Sequence, residues 1–537
     1  MTIEVFLDER GAAFAALGSA KVTGAPAIVL CTSGTAATHF HAAVVEAHLS
    51  SVPMIVCTAD RPPELRDVGA PQTIDQTALF GSAVRWFHDP GVAVYEAASS
   101  WRALADHVVA RTVSPVPGPV HLNLPFREPL VGRVRDMPTT RDHDGPWSGH
   151  LHGRVTLTDW EIDDLAHRLV GRKGVIVAGD PGGGWALTAY ASAATLLASV
   201  LDWPLLACPR SGTRVDGGNI VAHFDGIARS KSARGLLAPE VVLRLGSPPA
   251  SKVLGQWLRE TSAEQIVVHS PGAYLDPDHV VEHHIEADVA NTIDRLCSAA
   301  SRVADERGSS APADWSQSWR TAEAVAEAAI VSILDDDLDA NAGRPCEPAI
   351  AREVAHVSPI CVVSSSMPIR DVEWFASTGD GLLVYANRGA NGIDGVIATA
   401  VGVASELGTA TVYLGDIAFL HDSSSLALIA SRGGTLRIVV VDNDGGSIFS
   451  FLPQAREVDA DTFRVLFGTP HGLDLASVGA AFGVATAVAT TVDELRASLA
   501  RPGTTITVVR TGRTDNVEVH DRINAAIVGA VDAALSA

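Results

Sequence analysis

What the 537-residue sequence is short of narrows it first. It holds six cysteines, Cys31, Cys57, Cys208, Cys297, Cys346 and Cys361, and no two stand at the spacing of a metal-binding or redox pair. So few in so long a chain make no disulfide framework, and a reducing cytoplasm is the expectation. Basic residues are in deficit: 40 Lys and Arg against 62 Asp and Glu leave a net charge of −22. That balance argues against nucleic acid or an anionic membrane as the main partner, and an anionic substrate must be met by local arginines. No apolar run is long enough to span a bilayer, and the opening residues do not read as a basic start with an apolar stretch behind it. No GxxxxGKS or GxxxxGKT occurs, which removes a P-loop. His39, His41, His48, His283 and His284 have neither HExxH nor triad spacing and read as structural. GDPGGG from Gly179 lacks the rest of a dinucleotide fingerprint and reads as a turn.

What is present is a globular chain, 47% apolar and 19% charged, too long for one core. Two to four domains of about 100 to 200 residues are expected. Short β-branched runs recur, each followed by small turn residues and a helical pattern: AIVLC, PMIVCTAD, GVIVAGD, EVVLRLGS, EQIVVHS, PICVVSSS, ATVYLGD, LRIVVVDND and TTITVVRT. Continuously apolar strands alternating with helices predict α/β units with parallel sheets covered on both faces. A polar, turn-rich stretch from Gly132 to about Asp159 reads as a linker. A second connection surrounds one helix, roughly Trp315 to Leu334, and continues through DDDLDANAGRPCEP. Three units result, 1–140, 160–310 and 345–537.

In a parallel sheet, ligands bind beyond the carboxyl ends of the strands. Asp416 closes one predicted strand and Asn443 the next. A carboxylate, an amide oxygen and a backbone carbonyl form a hard oxygen set suited to Mg²⁺ with a diphosphate. An Asp that caps a helix, followed by an ordinary Asn-Asp-Gly-Gly turn, fits the same residues, and spacing alone leaves both open.

The motifs themselves resemble a family. GDI at Gly415 to Ile417, followed by VDNDGG, resembles the diphosphate and Mg²⁺ motif of thiamine-diphosphate enzymes, which usually reads GDG with paired asparagines. FLDERG (Phe6 to Gly11), TSGTA (Thr32 to Ala36), ADRPPEL (Ala59 to Leu65), ANRGANGIDG (Ala386 to Gly395) and DGGSIFSFLP (Asp444 to Pro453) are similar to the menaquinone-pathway branch, the 2-succinyl-5-enolpyruvyl-6-hydroxy-3-cyclohexene-1-carboxylate synthases. ADRPPEL and NRGANGIDG are specific to that branch.

The resemblance implies a transferase in menaquinone biosynthesis. It would decarboxylate 2-oxoglutarate and add the succinyl unit to isochorismate, using thiamine diphosphate and Mg²⁺ or Mn²⁺. It implies pyrimidine-binding, central and diphosphate-binding domains, and a homodimer or homotetramer in which Glu9 faces Asp416 of another chain. Glu9 is the implied acid on the aminopyrimidine. Ser33, Gly34, Ala390, Asn391, Gly392, Gly415 and Ile417 line the cofactor, and Ile393 props it. Asp416, Asn443 and the Gly445 carbonyl hold the metal. Arg61, Gln72 and Lys252 serve the acceptor, Ser366, Arg370 and Arg388 the carboxylates, and Ile448, Phe449 and Leu452 an apolar wall; bidentate pairing suits arginine to carboxylates. Acceptor contacts rest on fewer matching residues, because Lys252 is followed by Val253 rather than Arg, and Pro71 interrupts the usual GANQ. The family's first domain opens with a strand, a Pro-Gly-Ser-Arg turn and a helix ahead of the FDERG-like segment. Here that segment starts at Phe6, so the expectation is a first domain without its leading β-α unit and a start assigned too late. Competing readings are an acetolactate-synthase-like carboligase, favoured by flavin or pyruvate turnover, and an inert protein that keeps the scaffold.

Overall fold

A computed structural model describes residues 3–131, 141, 145–182, 187–308, 310–312, 314–379, 381–429 and 434–536. Sixteen strands form three parallel sheets within them. The first holds β1 (Ala27–Cys31), β2 (Met54–Asp60), β3 (Trp86–His88) and β4 (Pro119–Pro125), in the order β1-β2-β4-β3. The second holds β5 (Gly174–Ala178), β6 (Leu205–Ala207), β7 (Ile220–Val221), β8 (Val241–Leu245), β9 (Glu264–His269) and β10 (His283–Glu286), ordered β10-β9-β8-β5-β6-β7. The third holds β11 (Ile360–Val363), β12 (Leu383–Tyr385), β13 (Thr409–Gly415), β14 (Thr435–Asp442), β15 (Ala485–Ala489) and β16 (Thr505–Arg510), ordered β12-β11-β13-β14-β16-β15. The protein is therefore α/β with three doubly wound parallel sheets, as the alternating runs predict. Strands β5 and β8 are buried at every residue, which is what a sheet covered on both faces demands.

In the first sheet the described residues provide no strand beyond β1. Its outward side chains Ile28 and Leu30 are 55% and 72% exposed, so one face of this edge strand is uncovered by its own chain. A polar linker fits residues 145–158, which carry neither helix nor strand; 132–140 and 142–144 of the predicted linker lie outside the described residues. Gly183 and Gly184 of GDPGGG lie outside them too, while Asp180 of that motif pairs with Ser247 in an isolated bridge.

The second predicted connection needs correction. The helix does not stop at Leu334 but runs Trp315–Ala340 through the acidic stretch. Asp335, Asp336 and Asp339 face solvent, while Asp337 is buried against Arg522 of the C-terminal helix Arg513–Ser536. The acidic run that reads as a linker is the wet side of an amphipathic helix.

A helix crossing holds the first sheet's domain against the third. Helix Glu9–Thr23 is capped by Asp8, which accepts from the Arg10 N–H, and ends at Gly24 with φ 66. It crosses helix Val396–Leu407 at two glycines. A Cβ on Gly18 would lie 2.0 Å from the Thr399 carbonyl oxygen, and one on Gly402 2.0 Å from that of Ala15. Only hydrogen side chains let these backbones touch. The crossing carries Glu9 at one end of one helix and delivers the ANRGANGIDG loop at the start of the other.

Candidate active site

The carboxyl ends of β13 and β14 converge as the sheet rule requires. Asp416, 2% exposed, begins helix Asp416–His421 directly after β13. Its Oδ2 accepts from the N–H groups of Asn443 (3.1 Å) and Gly445 (2.8 Å), and its Oδ1 from Ile417 (2.6 Å). Burial pushes the Asp416 carboxyl up, and nearby Asp442 adds to it, against the lowering hydrogen bonds and His471. Asn443 turns its Nδ2 to Glu347 (2.9 Å), while its Oδ1 is buried with no hydrogen-bond partner among the described residues. A buried carboxylate short of positive charge and an orphaned amide oxygen beside it are what a hard cation would satisfy, so the residues fit a divalent metal.

His471 was not singled out from the sequence. Its Nδ1 accepts from the Leu473 N–H (3.0 Å), so Nε2 carries the hydrogen. That Nε2 lies 3.4 Å from Asp416 Oδ2 and 3.6 Å from Asp442 Oδ1. Asp416, Asp442 and His471 form a metal-sized cluster, in which His471 Nε2 is buried and makes no hydrogen bond to either carboxylate among the described residues. Asp444 holds the same loop by accepting from the N–H groups of His471 and Gly472.

The loop Arg388 to Gly395 is gripped from the first sheet's side. Glu46, on helix His41–Leu49, accepts from Gly389 N–H (3.0 Å), Ala390 N–H (2.7 Å), Lys21 Nζ (3.2 Å) and Ser50 Oγ (2.7 Å). Burial alone would raise its pKa; Lys21 and the two amides outweigh it, and the carboxyl sits below its ordinary 4.5. Asn391 follows at φ 62, and Ile393 packs against the third sheet's core.

Arginines gather nearby. Arg388 Nη1 donates weakly to Ser365 Oγ (3.5 Å), and its Nε is buried without a partner among the described residues. Burial, then Arg210 and Arg370, pull its guanidinium down to about 10. Arg210, from the second sheet's domain, was also missed; it is buried and pairs with Asp180 at 3.0 Å. Arg370 Nη1 donates to the Ser366 carbonyl (2.5 Å). Ser366 itself, at φ 76 and ψ −135, holds a conformation that favours glycine, and Gly34 takes nearly the same one, φ 83 and ψ −140, after β1. A non-glycine residue there costs on the order of 1–3 kcal/mol, the kind of strain that persists at functional positions.

The remaining predicted residues are placed as follows. Glu9 is half-buried at the first turn of its helix; burial pushes the Cys31 thiol up to about 12, and the charge of nearby Glu9 adds to that. Ser33 is buried and donates to the Gln72 carbonyl (3.0 Å), and Gln72 Nε2 donates back to the Ser33 carbonyl (3.1 Å). Gly34 N–H donates to Gln76 (2.9 Å), a buried residue with no sequence signal of its own. Arg61 follows Asp60 at the end of β2, half-buried. Lys252 is exposed and lines a cavity of about 250 Å³ with Arg244, Arg259 and Asp278, whose walls include no other predicted substrate residue. Helix Met367–Phe375 nevertheless reaches that region, since Glu373 accepts from the Ala250 N–H (2.9 Å). Ile448 and Phe449 are half-buried and Leu452 is exposed.

All six cysteines are unpaired, and no helix among the described residues is long and apolar enough to cross a membrane. Residues 1–79 match the family model "Thiamine pyrophosphate enzyme, N-terminal TPP binding domain", and residues 142–341 match "Middle domain of thiamine pyrophosphate". A solved structure described as "a putative thiamin diphosphate-dependent enzyme isolated from Mycobacterium smegmatis" superposes with TM-score 0.65 at 19% identity, covering 94% of this chain and 91% of that one, which shows a shared fold. The 2-succinyl-5-enolpyruvyl-6-hydroxy-3-cyclohexene-1-carboxylate synthase of Bacillus velezensis is 37% identical over 98% of this chain and 90% of its own length. Those of Geobacillus kaustophilus and Halobacterium salinarum are 38% and 39% identical, over 96% and 93% of this chain and 89% and 86% of their own lengths. With identity at this level along nearly the whole chain, the protein belongs to the 2-succinyl-5-enolpyruvyl-6-hydroxy-3-cyclohexene-1-carboxylate synthase family of thiamine-diphosphate enzymes.

Proposed function

We propose that this protein is the transferase that joins 2-oxoglutarate and isochorismate in menaquinone biosynthesis, releasing CO₂ and forming 2-succinyl-5-enolpyruvyl-6-hydroxy-3-cyclohexene-1-carboxylate. The observation that carries the reading is the Asp416, Asn443 and Gly445 cluster at adjoining strand ends, with its orphaned Asn443 Oδ1. The domains are assigned as 1–140 for the aminopyrimidine, 160–310 as central, and 345–537 for the diphosphate. Thiamine diphosphate, when bound, supplies an electron sink for decarboxylation and carbon transfer. Asp416, Asn443 and the Gly445 carbonyl would hold Mg²⁺ or Mn²⁺, with Gly415, Ile417 and the Ala390 to Ile393 loop around the diphosphate. Glu9 holds and returns a proton at the aminopyrimidine ring nitrogen. Ser33 and Gly34 shape the turn beside it.

Arg370 and Arg388, with Ser366, receive substrate carboxylates; burial pulls both guanidiniums below their ordinary value, a cost that an entering anion relieves, whereas Arg210 is held up against its burial by Cys208, Asp180 and Glu373. Arg61, Gln72 and Lys252 are assigned to the acceptor. Gln72 and Lys252 need rearrangement for that role, the first because it is spent on the Ser33 turn, the second because it lines a separate cavity. Ile448, Phe449 and Leu452 supply apolar wall. The enzyme is assigned to the cytoplasm as a homodimer or homotetramer. The test is thermal shift with thiamine diphosphate and Mg²⁺, then CO₂ release from 2-oxoglutarate with isochorismate present. Stabilisation and release are expected; no stabilisation by the cofactor and metal together refutes the reading.

A further inference from the structure

An asparagine that serves a cation must present its oxygen, and the two ends of its amide are nearly alike in shape. Something has to choose between them. Among the described contacts of Asn443, the chooser is Glu347: its Oε1 accepts from Asn443 Nδ2 at 2.9 Å, and the opposite end of the amide, Oδ1, is left buried and unpartnered. Both residues are buried, Glu347 2% and Asn443 9% exposed, so water does not compete for the amide. Glu347 lies 96 positions from Asn443, outside every motif that signals the site. It is itself fixed. It opens helix Glu347–Val357, where a carboxylate is favoured by the helix dipole, with Pro348 behind it. Thr511 Oγ1 donates to the same Oε1 (3.0 Å), and the Tyr413 hydroxyl donates to its carbonyl (3.4 Å).

We propose that Glu347 is a positioning residue: by accepting from Asn443 Nδ2 it locks the amide with Oδ1 toward the metal position. This rests on the reading of Asn443 as a metal ligand. Residues that orient ligands in this way typically change metal affinity by about 10- to 100-fold when lost.

The test is Mn²⁺ binding followed by electron paramagnetic resonance at fixed thiamine diphosphate, on the full chain. Glu347→Gln keeps an acceptor for Asn443 Nδ2 and is expected to bind Mn²⁺ within about threefold of wild type. Glu347→Leu removes the acceptor and is expected to bind about 10- to 100-fold more weakly. Thr511→Val removes the other bond to Oε1 without touching Asn443 and is expected to bind as wild type does. A purely structural role predicts instead that Thr511→Val and Glu347→Leu weaken binding alike, or that neither does; either result overturns the proposal. Should Glu347→Leu not fold, Asn443→Asp decides. A symmetric carboxylate needs no orienting and is repelled by Glu347, so adding Glu347→Gln in that background should strengthen Mn²⁺ binding; an unchanged or weakened affinity overturns the proposal. Absence of Mn²⁺ binding by the wild-type protein overturns the metal reading itself, and the inference with it.

Discussion

Replacing Glu46 with alanine tests whether the first sheet's domain holds the glycine-rich loop. The side chain makes four contacts, to Lys21, Ser50 and the N–H groups of Gly389 and Ala390. Lys21 and Glu46 side chains are 11% and 3% exposed, so this is a buried pair, and removing one partner of such a pair costs about 3–5 kcal/mol. Lys21 keeps one bond, to the Ala386 carbonyl (2.8 Å), which favours the lower end. The two orphaned amides add about 1–3 kcal/mol each unless water reaches them. With water reaching the two amides, a loss of about 3–5 kcal/mol is expected for Glu46→Ala, and roughly half for Glu46→Gln, which retains one acceptor oxygen. Urea unfolding measures it, with limited proteolysis of the 388–395 loop as a local readout. The sign of the pH effect follows from the lowered carboxyl. Its stabilisation is present above the unfolded value and disappears as pH falls through the folded one, so the gap between wild type and Glu46→Ala should be constant at neutral pH and close below pH 4.5. An Ala variant within about 0.5 kcal/mol of wild type at pH 7 would refute the reasoning.

Other substitutions probe other joints. Gly402→Ala puts a Cβ 2.0 Å from the Ala15 carbonyl oxygen, so the crossed helices must part; a loss of at least about 1–3 kcal/mol is expected by urea unfolding, and an unchanged midpoint would count against the close crossing. Ser366→Gly should relieve about 1–3 kcal/mol of strain, raising the unfolding midpoint while weakening use of 2-oxoglutarate; a lower midpoint would contradict the strain. Asp416→Ala should abolish metal-dependent thiamine-diphosphate binding in calorimetry, and unchanged affinity would remove Asp416 from the metal set. Glu9→Gln should slow CO₂ release by about 10² to 10⁴ with little change in cofactor affinity, and a near wild-type rate would reassign that residue.

The strand ends that carry Asp416 and Asn443 were legible because continuous apolar runs stop abruptly at polar residues, and because a crossover brings the two ends together. The family resemblance assigned Arg370 and Arg388 to one carboxylate site, and the structure brings the two guanidiniums near each other. Glu46, Arg210, Glu347 and His471 were not legible. Each acts through a contact far along the chain, such as Glu46 on Ala390 across 344 positions, and a lone glutamate on a helix carries no local sign of its partner. Gln72 was placed near the right turn, yet its amide is engaged with Ser33, a detail that depends on packing rather than residue type. The helix through Asp335 to Ala340 was missed because solvent-facing acids hide the apolar stripe of Ile330 and Leu334 that continues beneath them.

The most direct measurement of the central claim is the mass of the product formed from 2-oxoglutarate and isochorismate with thiamine diphosphate and Mg²⁺. The account predicts one adduct that contains the isochorismate skeleton plus the succinyl unit left after loss of CO₂, and none when the cofactor, the metal or either substrate is omitted. An adduct from pyruvate instead, or CO₂ release with no carbon transferred to isochorismate, would contradict it.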